Sequence, residues 1–316
     1  MKIVFVGSAE SGSGYYRTFL PFKELGKKHD TVLVSSIRNL DEVKEKHSPD
    51  IMILYFPSDE VTFQFVKNNK KICVYSLDDN FLAIPSSRGR TYERWKNKGK
   101  KALEIIKECR AVIVTTKYLA GVIREYNKNT KIVPNLVPKE YFDYPMEEPD
   151  VPTIGYAGGI NHIEDVKLLT GPIRRLLSDE KYKNVNYEFV CCPPPFKHEA
   201  IKHTHGTVAA KWFQLFATKK WTVGVIPIIT NEFNRCISNL KLLEYGSRKL
   251  PVIATNFGPY EDSPAVLVTN SASDWESAIK KLLNDKGLRN DIGEACRKYA
   301  ENYILDCKVW EEALNE

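Results

Sequence analysis

Nowhere in this chain of 316 residues do apolar residues run long enough to cross a membrane, which takes about 18 in succession. The opening Met-Lys-Ile-Val-Phe-Val-Gly holds one charge and too short an apolar run for a secretion signal, so the expected location is the cytoplasm. Zinc-type cysteine pairing is missing too. The seven cysteines (Cys73, Cys109, Cys191, Cys192, Cys236, Cys296 and Cys307) are odd in number, and Cys191 and Cys192 are adjacent, so buried thiols are expected. A dinucleotide fingerprint is also absent. The first glycine-rich loop spaces its glycines at Gly7, Gly12 and Gly14, and the second strand closes Val34-Ser35-Ser36 with no acidic residue for a ribose, which argues against a nicotinamide cofactor.

What is present is the composition of an ordinary globular protein, with 43% hydrophobic and 27% charged residues, in a length that suits two domains. The net charge of +6 is modest, but it is unevenly spread. Between residues 88 and 101 lie Arg88, Arg90, Arg94, Lys96, Lys98, Lys100 and Lys101 against a single Glu93, with Tyr92 and Trp95 interleaved. Such a segment is either a solvated helix face or a surface that meets phospholipid headgroups, a lipid-diphosphate acceptor or nucleic acid, peripherally at a membrane or on DNA.

Short apolar runs at 2–7, 31–35, 51–56, 71–77, 111–115 and 131–133 read as strands, separated by stretches of helical length and spacing. A second series, at 153–156, 187–191, 221–226, 252–254 and 265–268, alternates with helices at 164–178, 211–216, 238–247, 275–284 and 286–303. The stripe Trp275, Ile279, Leu282 and Leu283 in the fourth of these reads as core packing. Between the two series, residues 134–152 are punctuated by five prolines and carry no clear period. The expected class is α/β, with two Rossmann-like domains at 1–140 and 153–303, a linker at 141–152 and a helical tail at 304–316. Ligands of such sheets bind outside the carboxyl ends of the strands, which predicts a cleft where the two domains face each other. His198, His203 and His205 cluster among lysines and read as a solvated loop.

The segment from Asn234 to Ala254 is the most informative. If residues 238–247 are helical, Ser238, Lys241 and Glu244 or Tyr245 share one face near an N-terminus that favours anions. A diphosphate suits the lysine and the free N–H groups, and a ribose diol suits the carboxylate. In the first half, Ser76-Leu-Asp-Asp-Asn80 ends a buried strand, where Asp78 or Asp79 could deprotonate an acceptor hydroxyl, the alternative being a turn or cap.

The pattern Phe-Asn-x-x-x-Ser-x-x-Lys-x-x-Glu-Tyr, followed by Leu-Pro-Val-Ile-Ala and Gly-Pro-Tyr, resembles the donor-site signature of glycosyltransferase family 4 and its close relatives. Phe233, Asn234, Ser238, Lys241, Glu244, Tyr245, Pro251, Gly258 and Pro259 carry it. Ile154-Gly-Tyr-Ala-Gly-Gly159, Val133-Pro-Asn135 and Gly14-Tyr-Tyr-Arg17 extend the likeness over most of the chain. The resemblance implies the GT-B architecture and transfer of a sugar from a nucleoside diphosphate, expected to be UDP, to a hydroxyl acceptor. It implies that Lys241 contacts the donor diphosphate and Glu244 the ribose.

Two departures stand out. The glutamate that relatives often carry eight positions before Glu244 is Cys236 here, which leaves Glu232 in the loop before it as a candidate for the sugar hydroxyls. The basic pair found in many members after the first strand of the second domain is replaced by Gly158-Gly-Ile-Asn-His162, so Gly158, Gly159 and a helix dipole are expected to assist Lys241. No Asp-x-Asp motif is present, so neither a metal nor any other cofactor is expected. On the acceptor side the candidates are Gly12, Gly14, Tyr15 and Arg17 of the first loop and Arg88, Arg90 and Arg94 of the basic segment. The expected acceptor is a surface glycan or a lipid-linked precursor. A phage-type transferase acting on a hydroxylated base in DNA is one alternative, and a non-catalytic nucleotide or sugar binding protein of the same fold is another.

Overall fold

A computed structural model describes residues 1–35 and 39–315. Ser36, with which the second strand was expected to close, lies outside the described residues, as does the terminal Glu316. The chain divides into two compact units. The first comprises residues 1–136 with 235–238 and 305–316, and the second comprises 137–234 and 239–304.

The first unit is a six-stranded sheet of β1 (Lys2–Val6), β2 (Asp30–Val34), β3 (Ile51–Tyr55), β4 (Cys73–Ser76), β5 (Ala111–Val114) and β6 (Thr130–Ile132). All its pairings are parallel, in the order β2-β1-β3-β4-β5-β6. A sheet of this kind is apolar on both faces because helices cover both, and Phe5, Ile53, Tyr75 and Val112 are accordingly buried. The helices are α1 (Leu20–Leu25), α2 (Leu40–His47), α3 (Glu60–Asn68), α4 (Arg90–Glu108) and α5 (Lys117–Ile123). Asn39, Asp59 and Thr116 cap α2, α3 and α5 by accepting from backbone N–H groups three residues on. Trp95 anchors the long basic α4, stacking on Phe56 at 4.4 Å.

The second unit holds β7 (Thr153–Gly158), β8 (Asn186–Cys191), β9 (Ile201–Thr204), β10 (Val223–Ile226), β11 (Val252–Thr255) and β12 (Val266–Val268), parallel in the order β12-β11-β10-β7-β8-β9. Strand β9 is a correction to the sequence reading. His203 lies in this edge strand rather than in a solvated loop, pairing with Phe189 of β8, and its Nε2 stands 3.3 Å from the Cys191 carbonyl. Polar Lys202, His203 and Thr204 hid the strand, as edge strands often permit.

Here the helices are α6 (Ile163–Val166), α7 (Thr170–Leu177), α8 (Ala209–Ala217), α9 (Glu232–Cys236, whose last two residues cluster with the first unit), α10 (Leu240–Ser247), α11 (Ala272–Asn284) and α12 (Lys286–Glu301). A 3₁₀ turn, Lys167–Leu169, divides the helix expected over 164–178. Trp275, Ile279 and Leu282 of α11 join Tyr156, Phe189, Val225 and Ile253 in the core. Glycines let α10 and α12 touch: a Cβ on Gly246 would sit 2.3 Å from the Cys296 carbonyl oxygen, and one on Gly293 would sit 2.3 Å from that of Lys249.

The last helix, α13 (Cys307–Asn315), belongs to the first unit. Its Trp310 packs edge-on against Phe5, and Glu311 meets His29 at 2.9 Å. Among the described residues no helix is long and apolar enough to cross a membrane.

Candidate functional site

Helix α10 begins at Leu240, two residues later than the motif spacing suggests, with Asn239 at the N-cap position (φ −80°, ψ 14°) and its side-chain amide donating to the Tyr299 hydroxyl at 2.9 Å rather than capping the helix. Ser238 therefore lies off the helix. It clusters with the first unit, where its hydroxyl accepts from Asn135 Nδ2 at 3.0 Å, so the expected common face is reduced to Lys241 and Glu244, one turn apart.

Lys241 lies against the carboxyl end of β7 because residue 158 has no side chain. A Cβ there would meet Lys241 Cε at 2.9 Å and Tyr156 Oη at 2.5 Å. At Gly159 nothing lies within 4 Å of where a Cβ would stand. Lys241 Nζ is 3.1 Å from His162 Nε2, and His162 Nδ1 is 2.8 Å from Asp165 Oδ2. The other Asp165 oxygen accepts from the Ile229 N–H at 2.8 Å and from Asn234 Nδ2 at 3.0 Å. Burial works to raise the Asp165 pKa, but the hydrogen bond from His162, the charge its ring carries when protonated, the Ile229 N–H and the Lys241 charge outweigh it and hold the carboxyl below its ordinary value. Asn234 also donates to the Ile229 carbonyl at 2.9 Å, so this motif residue of α9 ties the turn before its helix to Asp165. In the same helix Phe233 is buried and Glu232 is exposed.

Glu244 is buried, and its Oε1 accepts from Trp212 Nε1 at 2.7 Å. Trp212 stacks on Phe216 with ring planes 11° apart. The fully buried Arg248 closes the end of that helix, donating to the carbonyls of Phe216 at 2.5 Å, Ala217 at 3.1 Å and Lys219 at 3.1 Å, which satisfies acceptors left open at a helix C-terminus. The unit thus offers a cation, an imidazole backed by a carboxylate, and an oriented second carboxylate at strand ends. His162, Asp165 and Trp212 are the members that the sequence reading missed. The only signal was the His-x-x-Asp spacing, which puts His162 and Asp165 one turn apart.

In the first unit, Asp78 is buried and its Oδ1 accepts from the Tyr55 hydroxyl at 3.0 Å, while Asp79 is half-buried. Arg17 corrects an expectation. Assigned to the acceptor side, it has no exposed surface: it donates to the Val133 carbonyl at 2.7 Å and to Ser76 Oγ at 3.3 Å, and lies over the Trp310 ring. It ties strand ends β4 and β6 to α13, and burial lowers its pKa to about 10, although Asp78 and Tyr55 work against that. Gly14 is needed for the loop itself, since a Cβ would fall 1.8 Å from the Ser8 carbonyl oxygen. Gly12 faces open space, and Tyr15 stacks on Phe19. Cys236, which replaces the expected glutamate, is also buried here, with Asn80 Nδ2 3.6 Å from its sulfur and the Thr116 hydroxyl donating to its carbonyl.

On α4, Arg90, Arg94, Lys96, Lys98 and Lys100 are exposed, and Arg88, in the turn before the helix, is half-buried. Lys101 is engaged by Glu60 and Glu104. Among the described residues no group of three or more His, Cys, Asp or Glu side chains is arranged to hold a metal ion.

No protein-family model matches the chain, and no curated protein does either. Solved structures do. A glycosyltransferase from Rickettsia africae superposes over 100% of this chain and 99% of its own, at a TM-score of 0.68 and 15% identity. HepE of Anabaena, solved in complex with UDP-glucose, covers 100% and 98% at a TM-score of 0.69 and 10% identity. WaaG, a glycosyltransferase involved in lipopolysaccharide biosynthesis, covers 99% and 98% at a TM-score of 0.66 and 13% identity. The fold is that of the GT-B glycosyltransferases.

Proposed function

We propose that this protein transfers a sugar from a nucleoside diphosphate, most simply UDP, to a hydroxyl of a surface glycan or lipid-linked precursor. The observation that carries the reading is the placement of Lys241 beside a side-chain-free Gly158 at the end of β7, one turn from the Trp212-oriented Glu244. A diphosphate leaving group needs fixed positive charge where its own charge develops, and Lys241 supplies it without a resident metal. Glu244 accepts the ribose hydroxyls, its orientation set by the indole behind it. Exposed Glu232 is the candidate for the sugar hydroxyls, and half-buried Asp79 for the base that takes the acceptor proton.

A second reading, transfer to a hydroxylated base in DNA, is favoured by the exposed arginines and lysines of α4. That surface would meet an anionic acceptor or carrier in either case. Duplex binding in a gel shift that weakens steeply with salt supports the DNA reading; no binding at low salt removes it.

The primary test is a thermal-shift titration with UDP, GDP, ADP, CMP and their sugar conjugates, on the wild type and on Lys241→Ala and Glu244→Ala. A ligand selective for the native state raises the midpoint by mass action, and the rise should vanish in both variants. A folded wild type that responds to none of them overturns the donor-site reading. Binding without transfer or donor hydrolysis, across a panel of hydroxyl acceptors, would leave the non-catalytic alternative in its place.

A further inference from the structure

Beside Lys241 lies a chain of groups that the donor motif does not include. An ammonium has donors and no acceptor, so the 3.1 Å contact between Lys241 Nζ and His162 Nε2 makes that ring nitrogen the acceptor and leaves it unprotonated. The ring proton is then on Nδ1, aimed at Asp165 Oδ2 at 2.8 Å. Asp165 is 2% exposed and cannot swing away, because Ile229 N–H and Asn234 Nδ2 hold its other oxygen. His162 closes a 3₁₀ turn, Ile160–His162, directly after β7, with 17% of its side chain open to solvent. The imidazole is held between a buried anion and a cation.

We propose that His162 is a second cation of the diphosphate site, one that takes up a proton as the diphosphate binds, with Asp165 holding the imidazolium in place. The inference rests on the reading of Lys241 as the diphosphate contact. A phosphate oxygen draws the Lys241 ammonium to itself, which removes the hydrogen bond that kept His162 Nε2 unprotonated. That nitrogen then faces an anion and can donate to it only after gaining a proton, which comes from the solvent. One N–H bond forms per diphosphate bound, and nothing is oxidised or reduced.

Several of the groups packed around His162 are paired or held neutral by burial. On the adjoining helix α6, Glu164 pairs with Lys167. The ring itself lies between Asp165 of α6 and Lys241 of α10. Cys192, which senses both, has its thiol pushed up to about 12 by burial, with Lys241 working against the rise. The phenols of Tyr156 and Tyr260, both within range of Asp165, are raised far above neutrality, chiefly by burial.

Isothermal titration of the full chain with UDP, GDP and ADP, in buffers of different ionisation enthalpy, counts the protons. For whichever nucleotide binds, the wild type should take up close to one proton more than His162→Gln, a difference that cancels the ionisation of the nucleotide's own phosphate. Its Kd should also weaken with rising pH, by up to about tenfold per unit, because binding takes up a proton. His162→Arg, permanently charged, should bind tightly with no added uptake. A role for His162 in merely stapling the turn would change the unliganded melting point and leave proton uptake alone. Equal uptake in wild type and His162→Gln overturns the inference while leaving the donor site standing. Failure of all three nucleotides to bind the wild type overturns the donor-site reading, and this inference with it.

Discussion

Gly158→Ala tests the packing on which the proposed donor site depends. The added methyl carbon would stand 2.5 Å from Tyr156 Oη, 2.9 Å from Tyr156 Cζ and 2.9 Å from Lys241 Cε, where ordinary contact begins at 3.4 Å. Relief requires about 0.9 Å of movement at the hydroxyl (3.4 − 2.5) and about 0.5 Å at the lysine (3.4 − 2.9). The lysine can give way, at the cost of its place beside His162. The tyrosine cannot easily do so, because its ring is in the core with Phe189 and Val225. Overpacking of this kind costs about 1–3 kcal/mol, which in a unit of this size lowers Tm by roughly 2–10 °C.

The buried Tyr156 hydroxyl has no hydrogen-bond partner among the described residues. Tyr156→Phe alone should therefore be neutral or stabilising by up to about 1 kcal/mol. In the double variant the worst contact is gone and two 2.9 Å contacts remain, to the ring Cζ and to Lys241 Cε, so only part of the loss should return, a coupling that a double-mutant cycle reads directly. Nucleotide Kd, measured in parallel by calorimetry, should weaken at least tenfold in Gly158→Ala. A Gly158→Ala variant with wild-type Tm and wild-type Kd, or one whose loss Tyr156→Phe does nothing to ease, would refute the reasoning.

Trp212→Phe keeps a ring to stack on Phe216 but removes the N–H that meets Glu244, leaving a buried carboxylate short of a donor; with charged hydrogen bonds contributing about 1.5–3 kcal/mol, nucleotide Kd should weaken at least tenfold by calorimetry while circular dichroism stays native. Asp79→Asn should lower kcat by about a hundredfold or more and leave nucleotide Kd unchanged, whereas Asp78→Ala, which strips the Tyr55 hydroxyl of an acceptor, should chiefly lower Tm; the reverse pattern would assign the base to Asp78. Asp165 titrates below its ordinary value of 3.8, so the unfolded chain binds the proton more readily. Its contribution to stability is full above that pH and is lost as the pH falls through the lower folded value. Urea unfolding against pH should show a shallower acid limb in Asp165→Asn, from a lower neutral-pH midpoint, and parallel limbs would contradict the assignment.

The alternation of apolar runs and helical stretches was legible because a parallel sheet covered on both faces demands near-continuous Val, Ile, Leu and Phe, as in Ile51–Tyr55 and Val252–Thr255. Strand β9 escaped because an edge strand buries little and tolerates the Lys-His-Thr of 202–204. Arg17 was misjudged for a related reason: its position in a motif is visible in sequence, but whether a guanidinium points outward or is consumed by carbonyl oxygens 116 residues away is not. Spacing put Lys241 and Glu244 on one face of one helix, which a surface ion pair would equally explain; the family resemblance singled them out as a candidate donor site. The partners that orient them, His162 and Trp212, are 79 and 32 residues away and become neighbours only through the strand order. In that order β7 lies between β10 and β8, so the turn after β7 opens at the same carboxyl edge as the segment running from β10 into α10. The His-x-x-Asp spacing of 162–165 becomes interpretable once that adjacency is known: a parallel sheet converts sequence-distant turns into one site, and the polar residues just past each strand end, rather than the motif helix alone, are where the missing members should be sought.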